Sequence, residues 1–404
     1  MERDQKLISN TLAVLMAVCM ALDAQSTLDQ AWALAARGDR AAAISITREL
    51  VKKEPGNADA RLLLGSLLSE EGQRQDAIEQ LKEAVHIRPN SAEAWNTLGE
   101  AYKDFGRGKA ARGSFEQAVK LNPNYGVAQL NLGAALLGAG EPDAAAEHLD
   151  RAIQLLGQSS DAADAHYLRS RIYSATGQTG EAARHLEEAV RLRQDFAEAW
   201  SDLGEARRLK LDVARALIAF ERAVQLNPND AVAQYRLGAE YLRRNQTALS
   251  LEHLEAAYKL TPADQSTLNA LQSALRQAGR HDEAARVKHE LAAALLARDQ
   301  RSQINLKALK LNNEGADLER AGHLPQAVER YQEALNLEPD HNGIRVNYAA
   351  ALLRLGRWTE GLTELHEAAE RDPENRDVQV ALRDALAQAP QALFPGWAKA
   401  RTDR

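Results

Sequence analysis

One spacing governs this chain. Pro55, Pro89 and Pro123 are evenly spaced, and the same interval separates Pro228 from Pro262 and Pro339 from Pro373. A fixed period of about 34 residues marks a solenoid, in which each copy is one supersecondary unit that buries its apolar face only against its neighbours. Other residues keep step with the prolines. Gly65, Gly99, Gly133, Gly204, Gly238, Gly315 and Ala349 form one series. Gly38, Gly72, Gly106, Gly140, Gly177, Gly279, Gly322 and Gly356 form a second, and Ala77, Ala111, Ala145, Ala182, Ala216, Ala284 and Ala327 a third.

The best copy runs from Ala92 to Asn124. From Ala92 to Phe105 the large apolar residues fall three and four apart, the period of a helix. Gly106 follows and can adopt the left-handed conformation that ends one. A second helical run covers Lys109 to Leu121, and Pro123 stops it by forcing the preceding residue to be extended. Each repeat is therefore helix, turn, helix, turn. Gly99 and Ala111 let the two helices approach, while Trp95, Leu98, Tyr102 and Phe115 fill the remaining space. On this reading Gly99→Leu overpacks the seam by about 1–3 kcal/mol, and Phe115→Ala leaves a cavity costing about 3–5 kcal/mol.

Trp95, Leu98, Gly99, Tyr102, Gly106, Ala111, Phe115, Ala118 and Pro123 together resemble the tetratricopeptide repeat (TPR) family. The resemblance covers roughly residues 26–389. It implies an all-α fold, a right-handed superhelical solenoid of about ten helix-turn-helix repeats. These begin near Ala24, Ala58, Ala92, Gly126, Ala163, Ala197, Ala231, Gln265, Ala308 and Asn342. The expected layout is repeats 1–8 over 25–298, a linker or helix extension over 299–307, repeats 9–10 over 308–375, a capping helix over 376–389 and a flexible tail over 390–404. Three residues are inserted within 156–161, and nine before Ala308. Repeat 8 carries Lys288 at a packing position.

Thr11 to Leu22 is uncharged and apolar but only about a dozen residues long, against the roughly 20 a membrane-spanning helix needs. With Ala24 as a small residue before a cut, residues 1–24 read as a signal peptide, or an anchor if uncleaved. Export to the cell envelope, periplasmic or secreted, is the resulting expectation; an uncut segment would mean a membrane-anchored or cytoplasmic protein. Cys19, the only cysteine, lies in this segment.

No HExxH, GxxxxGK[ST] or GxSxG motif is present, and His289-Glu290 is followed by Leu-Ala-Ala-Ala. The sequence points to no catalytic residue, cofactor or metal ion. The net charge of -7 argues against a nucleic-acid binder, which needs a basic surplus. His148, His185 and His253 share one slot of the second helix but lie a repeat or more apart, which suits helix-face residues rather than metal ligands. Trp95 and Trp200 are expected in the core.

The family resemblance assigns positions 2, 5, 6, 9, 12 and 13 of each repeat to a concave groove. Repeats 2–6 then present Asp59, Glu70, Glu93, Glu100, Asp104, Asp164, Glu198, Asp202 and Glu205 against Lys103, Arg171 and Arg208. Repeats 7–10 present Arg236, Arg243, Arg276, Arg320 and Arg354 against Glu319. The groove is thus expected to be acidic first and basic later, with Tyr167 and Tyr235 adding aromatic area. Asn131, Asn313 and Asn347 at position 6 are similar to the asparagine ladder of O-linked N-acetylglucosamine transferases, where amides hold an extended peptide backbone; that enzyme's catalytic domain is not expected here. The implied partner is a protein or peptide, with no nucleic acid or small-molecule substrate, and membrane contact only through an uncleaved N-terminal segment. The implied role is a noncatalytic scaffold. The alternatives are a substrate-targeting subunit of a glycosyltransferase or peptidase complex, or an intracellular adaptor.

Overall fold

The computed structural model describes residues 27–390. The signal-peptide reading of 1–24, Cys19 and nearly all of the tail lie outside them. Among the described residues every regular element is an α-helix. Ten hairpins follow in order. The first five are α1 (27–36) with α2 (Arg40–Lys53), α3 (Ala58–Glu70) with α4 (Arg74–Ile87), α5 (Ala92–Asp104) with α6 (Gly108–Leu121), α7 (Gly126–Gly138) with α8 (Pro142–Leu156), and α9 (Ser160–Ala175) with α10 (Thr179–Leu192). Then come α11 (Ala197–Leu209), α12 (Val213–Leu226), α13 (Ala231–Arg243), α14 (Thr247–Leu260), α15 (Gln265–Gln277), α16 (His281–Arg320), α17 (Leu324–Leu337), α18 (Asn342–Arg354), α19 (Trp358–Arg371) and α20 (Arg376–Gln388).

The helices stop and start where backbone chemistry requires. Many first helices carry a side-chain N-cap. Asn57 accepts from the Ala60 amide at 3.0 Å and Ser91 from the Ala94 amide at 3.1 Å. Each such bond satisfies a donor the helix leaves orphaned. At the turn inside repeat 3, Gly106 has φ 75°. The Arg107 amide there reaches back to the Tyr102 carbonyl at 2.8 Å, closing the helix in the manner of a left-handed glycine cap. Eight of these turns use glycine at positive φ. Leu211 (φ 62°) and Asn245 (φ 59°) take the same place in repeats 6 and 7.

Nine of the ten hairpins close on a small residue at position 8, and repeat 8 has Gln272 there. A Cβ on Gly99 would lie 2.5 Å from a Phe115 ring carbon, and one on Gly65 would lie 2.5 Å from Leu81 Cγ. Phe115 and Leu81 are completely buried. The close seam inferred from sequence is therefore present, with the large residue of the second helix seated on bare backbone.

By its contacts the chain forms two compact units, Met1–Ala216 and Leu217–Arg404. The division falls inside α12. Residues 299–307, expected as a linker or a helix extension, are continuous helix. α16 is 40 residues long and joins the second helix of repeat 8 to the first helix of repeat 9 without a turn.

Candidate partner-binding groove

Within each unit the first helices of successive repeats touch one another. α3 meets α5, α5 meets α7 and α7 meets α9; in the second unit α13 meets α15 and α16 meets α18. Their faces form rows, interrupted in the second unit between repeats 8 and 9, and three recurring hydrogen bonds hold them.

The first bond comes from position 4. Arg61, Trp95, Gln129, Trp200, Gln234 and Arg345 each donate a side-chain N–H to the carbonyl six residues earlier, at 2.6 to 3.0 Å. Those carbonyls belong to Pro55, Pro89, Pro123, Gln194, Pro228 and Pro339 in the turns between repeats. Trp95 and Trp200 are thus half-buried tethers rather than simple core residues.

The second bond joins position 4 to position 23 of the same hairpin. Arg61 donates to Gln80 at 2.8 Å, and Arg345 to Glu364. Gln129 has spent its amide N–H on Pro123, which leaves its oxygen as an acceptor. That oxygen accepts from His148 Nδ1 at 2.7 Å, and Gln234 and His253 repeat the arrangement at 2.8 Å. Repeat 5 has two histidines in the same places, His166 and His185, with their Nδ1 atoms 3.0 Å apart. The histidine slot noticed in the sequence is accordingly a helix-to-helix bridge. Among the described residues no cluster of three or more His, Cys, Asp or Glu is arranged to hold a metal ion.

The third bond runs between repeats, from position 6 of one to position 5 of the repeat before it. Asn131 Nδ2 donates to Asn96 Oδ1 at 3.0 Å and to Glu100 at 3.1 Å. Asn347 Nδ2 donates to Asn312 Oδ1 at 2.9 Å. Tyr167 and Asp202 stand in the same relation and are hydrogen-bonded; burial, with the Asp202 carboxylate beside it, pushes the Tyr167 phenol up to about 12. Asn131 and Asn347, both half-buried, therefore serve first to stitch repeats together. Asn313 is exposed on α16 and has no side-chain hydrogen bond among the described residues. No packed repeat precedes it, because α16 continues without a turn.

The charged candidates divide by partner. In the first unit Asp59 and Asp164 are clamped by two-point bonds from Arg88 and Arg193, Glu70 pairs with Arg40 at 2.7 Å, and Glu205 pairs with Arg208. Glu93 and Glu198 are exposed and make no ion pair among the described residues. In the second unit Arg243 pairs at 2.7 Å with Glu240, whose side chain is 1% exposed and which Arg244 also holds. Arg320 pairs with Asp317, and Arg354 with Glu319, which also accepts from Tyr331 at 2.8 Å. Arg236 is half-buried and engaged, and Tyr235 packs partly buried beside Leu254 and Leu268. Arg276 is exposed without an ion pair among the described residues. Much of the charge is neutralised locally; among the described residues Glu93, Glu100, Glu198 and Arg171 in the first unit and Arg276 in the second make no ion pair. The sequence reading missed the acceptors Asn96 and Asn312 and the buried Glu240. The available signal for the first two was the equal spacing of Asn96 to Asn131 and Asn312 to Asn347.

A chain of stacked helical hairpins with a polar, hydrogen-bonded inner row defines a helical-repeat protein. Models described as tetratricopeptide repeat match residues 34–101, 68–124, 124–195, 167–231 and 318–388. The chain belongs to the tetratricopeptide repeat family. FlbA of Caulobacter vibrioides is 31% identical over 231 residues, covering 52% of this chain and 37% of FlbA. The cell division cycle protein 27 homolog of Caenorhabditis elegans is 28% identical over 99 residues, covering 24% of this chain and 13% of its own length. The chain thus spans well under half of these relatives. The MamA crystal structure shares 28% identity, covering 41% of this chain and 95% of MamA, with a TM-score of 0.36.

Proposed function

We propose that the protein is a noncatalytic interaction scaffold whose inner row of first helices holds an extended peptide or partner helix. The observation that supports this most is the pair of exposed acids in the first unit, Glu93 and Glu198, set against exposed Arg276 in the second, each lacking an ion pair among the described residues. The helix dipole already favours each charge, with Glu93 and Glu198 in a first turn and Arg276 in a last turn, and a complementary partner gains encounter rate and register from the same exposed charges. Asn131 and Asn347 are half-buried, and their Oδ1 atoms can still accept from a peptide N–H.

The test is affinity capture of partners with the wild type, Arg276→Glu, and Glu93→Lys with Glu198→Lys. The charge reversals should lose partners in a salt-dependent manner while leaving the helical signal unchanged. Arg243→Glu is a poorer probe, since it sets a second carboxylate beside buried Glu240, where an unpaired charge is costly. Identical partner sets from all three proteins overturn the reading. Export is part of the proposal: the mature chain should begin near Gln25 in the envelope fraction, and an intact Met1 in the cytoplasmic fraction removes that part.

A further inference from the structure

Every residue of α16 from 295 to 307 is exposed. At a rise of about 1.5 Å per residue, this stretch separates the repeat 8 and repeat 9 hairpins by about 20 Å of bare helix. The hairpins on either side are finished as ends. In repeat 8, Ala285 and Ala292 are exposed where the matching Ile78 and Val85 of repeat 2 are buried. In repeat 9, Lys310 and Glu314 replace the buried Ala94 and Leu98 of repeat 3. The repeat 9 face is polar in the manner of a terminal repeat and the repeat 8 face offers only alanine, so these two do not stack on each other across the gap.

The bare helix is mostly polar but also exposes large apolar side chains. Leu295, Leu296, Ile304 and Leu306 are 41%, 58%, 38% and 70% exposed. An open cleft of about 730 Å³ lies along it, lined by Arg298, Ser302, Leu306 and Leu309 among others. Leu295, Leu306 and Leu309 fall on one side of the helix by its 3.6-residue period. A gap of about 20 Å admits a helix of about 10–12 Å diameter. Its charge is uneven: Lys288, Arg298, Lys307 and Lys310 make no ion pair among the described residues, while Arg301 is held by Glu338 at 2.8 Å. Asp299 and Glu314 are opposing acids, with Glu290, which accepts from Tyr258 at 2.8 Å, as a third.

We propose that this saddle is a second interaction surface, separate from the inner row, and that it takes an acidic amphipathic helix of a partner protein, leucines down on Leu295, Leu306 and Leu309 and carboxylates toward Arg298 and Lys310. The probe is a fluorescein-labelled peptide of about 14 residues of Leu, Ala and Glu with leucines at helical spacing, beside the same peptide with Lys for Glu. Fluorescence anisotropy with the full chain should show the Glu peptide bound at least about tenfold more tightly than the Lys peptide. Leu295→Glu with Leu306→Glu should weaken it about 100-fold, from the lost apolar contact. Lys82→Glu, a charge reversal at an exposed position on α4, should leave it unchanged. Both leucines are exposed, so the variant keeps its fold, which circular dichroism verifies. Equal binding of the two peptides, or full binding to the double variant, overturns the proposal. So does a dimer in sedimentation that the double variant splits, because the saddle would then belong to a second copy of the chain.

Discussion

Asn131 Nδ2 sits 3.0 Å from Asn96 Oδ1, joining the first helices of two successive repeats across 35 residues of sequence. Asn96 is 2% exposed, so its oxygen has little access to water once this donor is gone. Asn131→Ala should therefore cost about 1–3 kcal/mol, more than the net worth of an ordinary hydrogen bond, because it leaves a buried acceptor unmade. Adding Asn96→Ala removes the orphan, and the double variant should be less destabilised than the two singles summed. Urea unfolding of the four proteins measures the coupling; strict additivity would show that the two amides do not depend on each other.

Gly99 and Phe115 form the tightest kind of seam in the array. The missing Cβ is the space the ring occupies, 2.5 Å from where a methyl would stand. Gly99→Ala should cost about 1–3 kcal/mol by overpacking and Phe115→Ala about 3–5 kcal/mol by cavity formation. The combination should recover part of the loss, since the alanine methyl then enters the space the ring vacated. A double variant worse than the sum would mean that the glycine is needed for backbone reasons instead.

Leu211 occupies a turn position that glycine fills in eight repeats, with φ 62° and 85% of its surface exposed. The left-handed conformation costs a non-glycine residue about 1–2 kcal/mol, and so exposed a side chain recovers almost nothing by burial. Leu211→Gly should raise stability by about 1 kcal/mol, the relief of strain being partly offset by the greater freedom of the unfolded chain. Leu211→Asn should give a smaller gain, as Asn245 already serves in the next repeat. Thermal midpoints report both; an unchanged or lowered midpoint for the glycine variant contradicts the strain.

The hairpins were legible because the residues that make them are of fixed type: glycine at the turns, glycine or alanine at the seams, proline at the ends. The inner row was much less so. Position 4 holds Arg61, Trp95, Gln129, Trp200, Gln234 and Arg345, which share neither size nor charge. What they share is an N–H at the right reach, and only geometry reveals that. Charges misled for a related reason. Asp59 counts as a groove acid by position, yet Arg88, 29 residues on, neutralises it. The nine extra residues before Ala308 announced an irregularity, but their composition did not decide between a linker and a helix that simply continues.

His166 and His185 meet through like atoms, Nδ1 to Nδ1 at 3.0 Å, so one ring must donate while the other accepts. Two protonated rings would point N–H at N–H. Burial pushes His185 down to about 4, helped by neighbouring His166, Arg169 and Arg184, and burial likewise lowers His166. Asp150, paired with Arg169, and Glu188 oppose this only in part. An unfolded histidine titrates near about 6.5. Between that value and about 4 the unfolded chain binds more protons than the folded one, so the stability from this pair is complete above about pH 6.5 and is lost as the pH falls. His166→Gln replaces the coupled pair with the amide–imidazole bridge seen at Gln129 and His148, which holds whether or not the ring is charged. Urea midpoints at about pH 7.5 and about pH 5 should therefore fall less for His166→Gln than for the wild type, the carboxylate contribution being common to both. Parallel decreases in the two proteins would show that the histidine pair does not set the acid sensitivity of repeat 5.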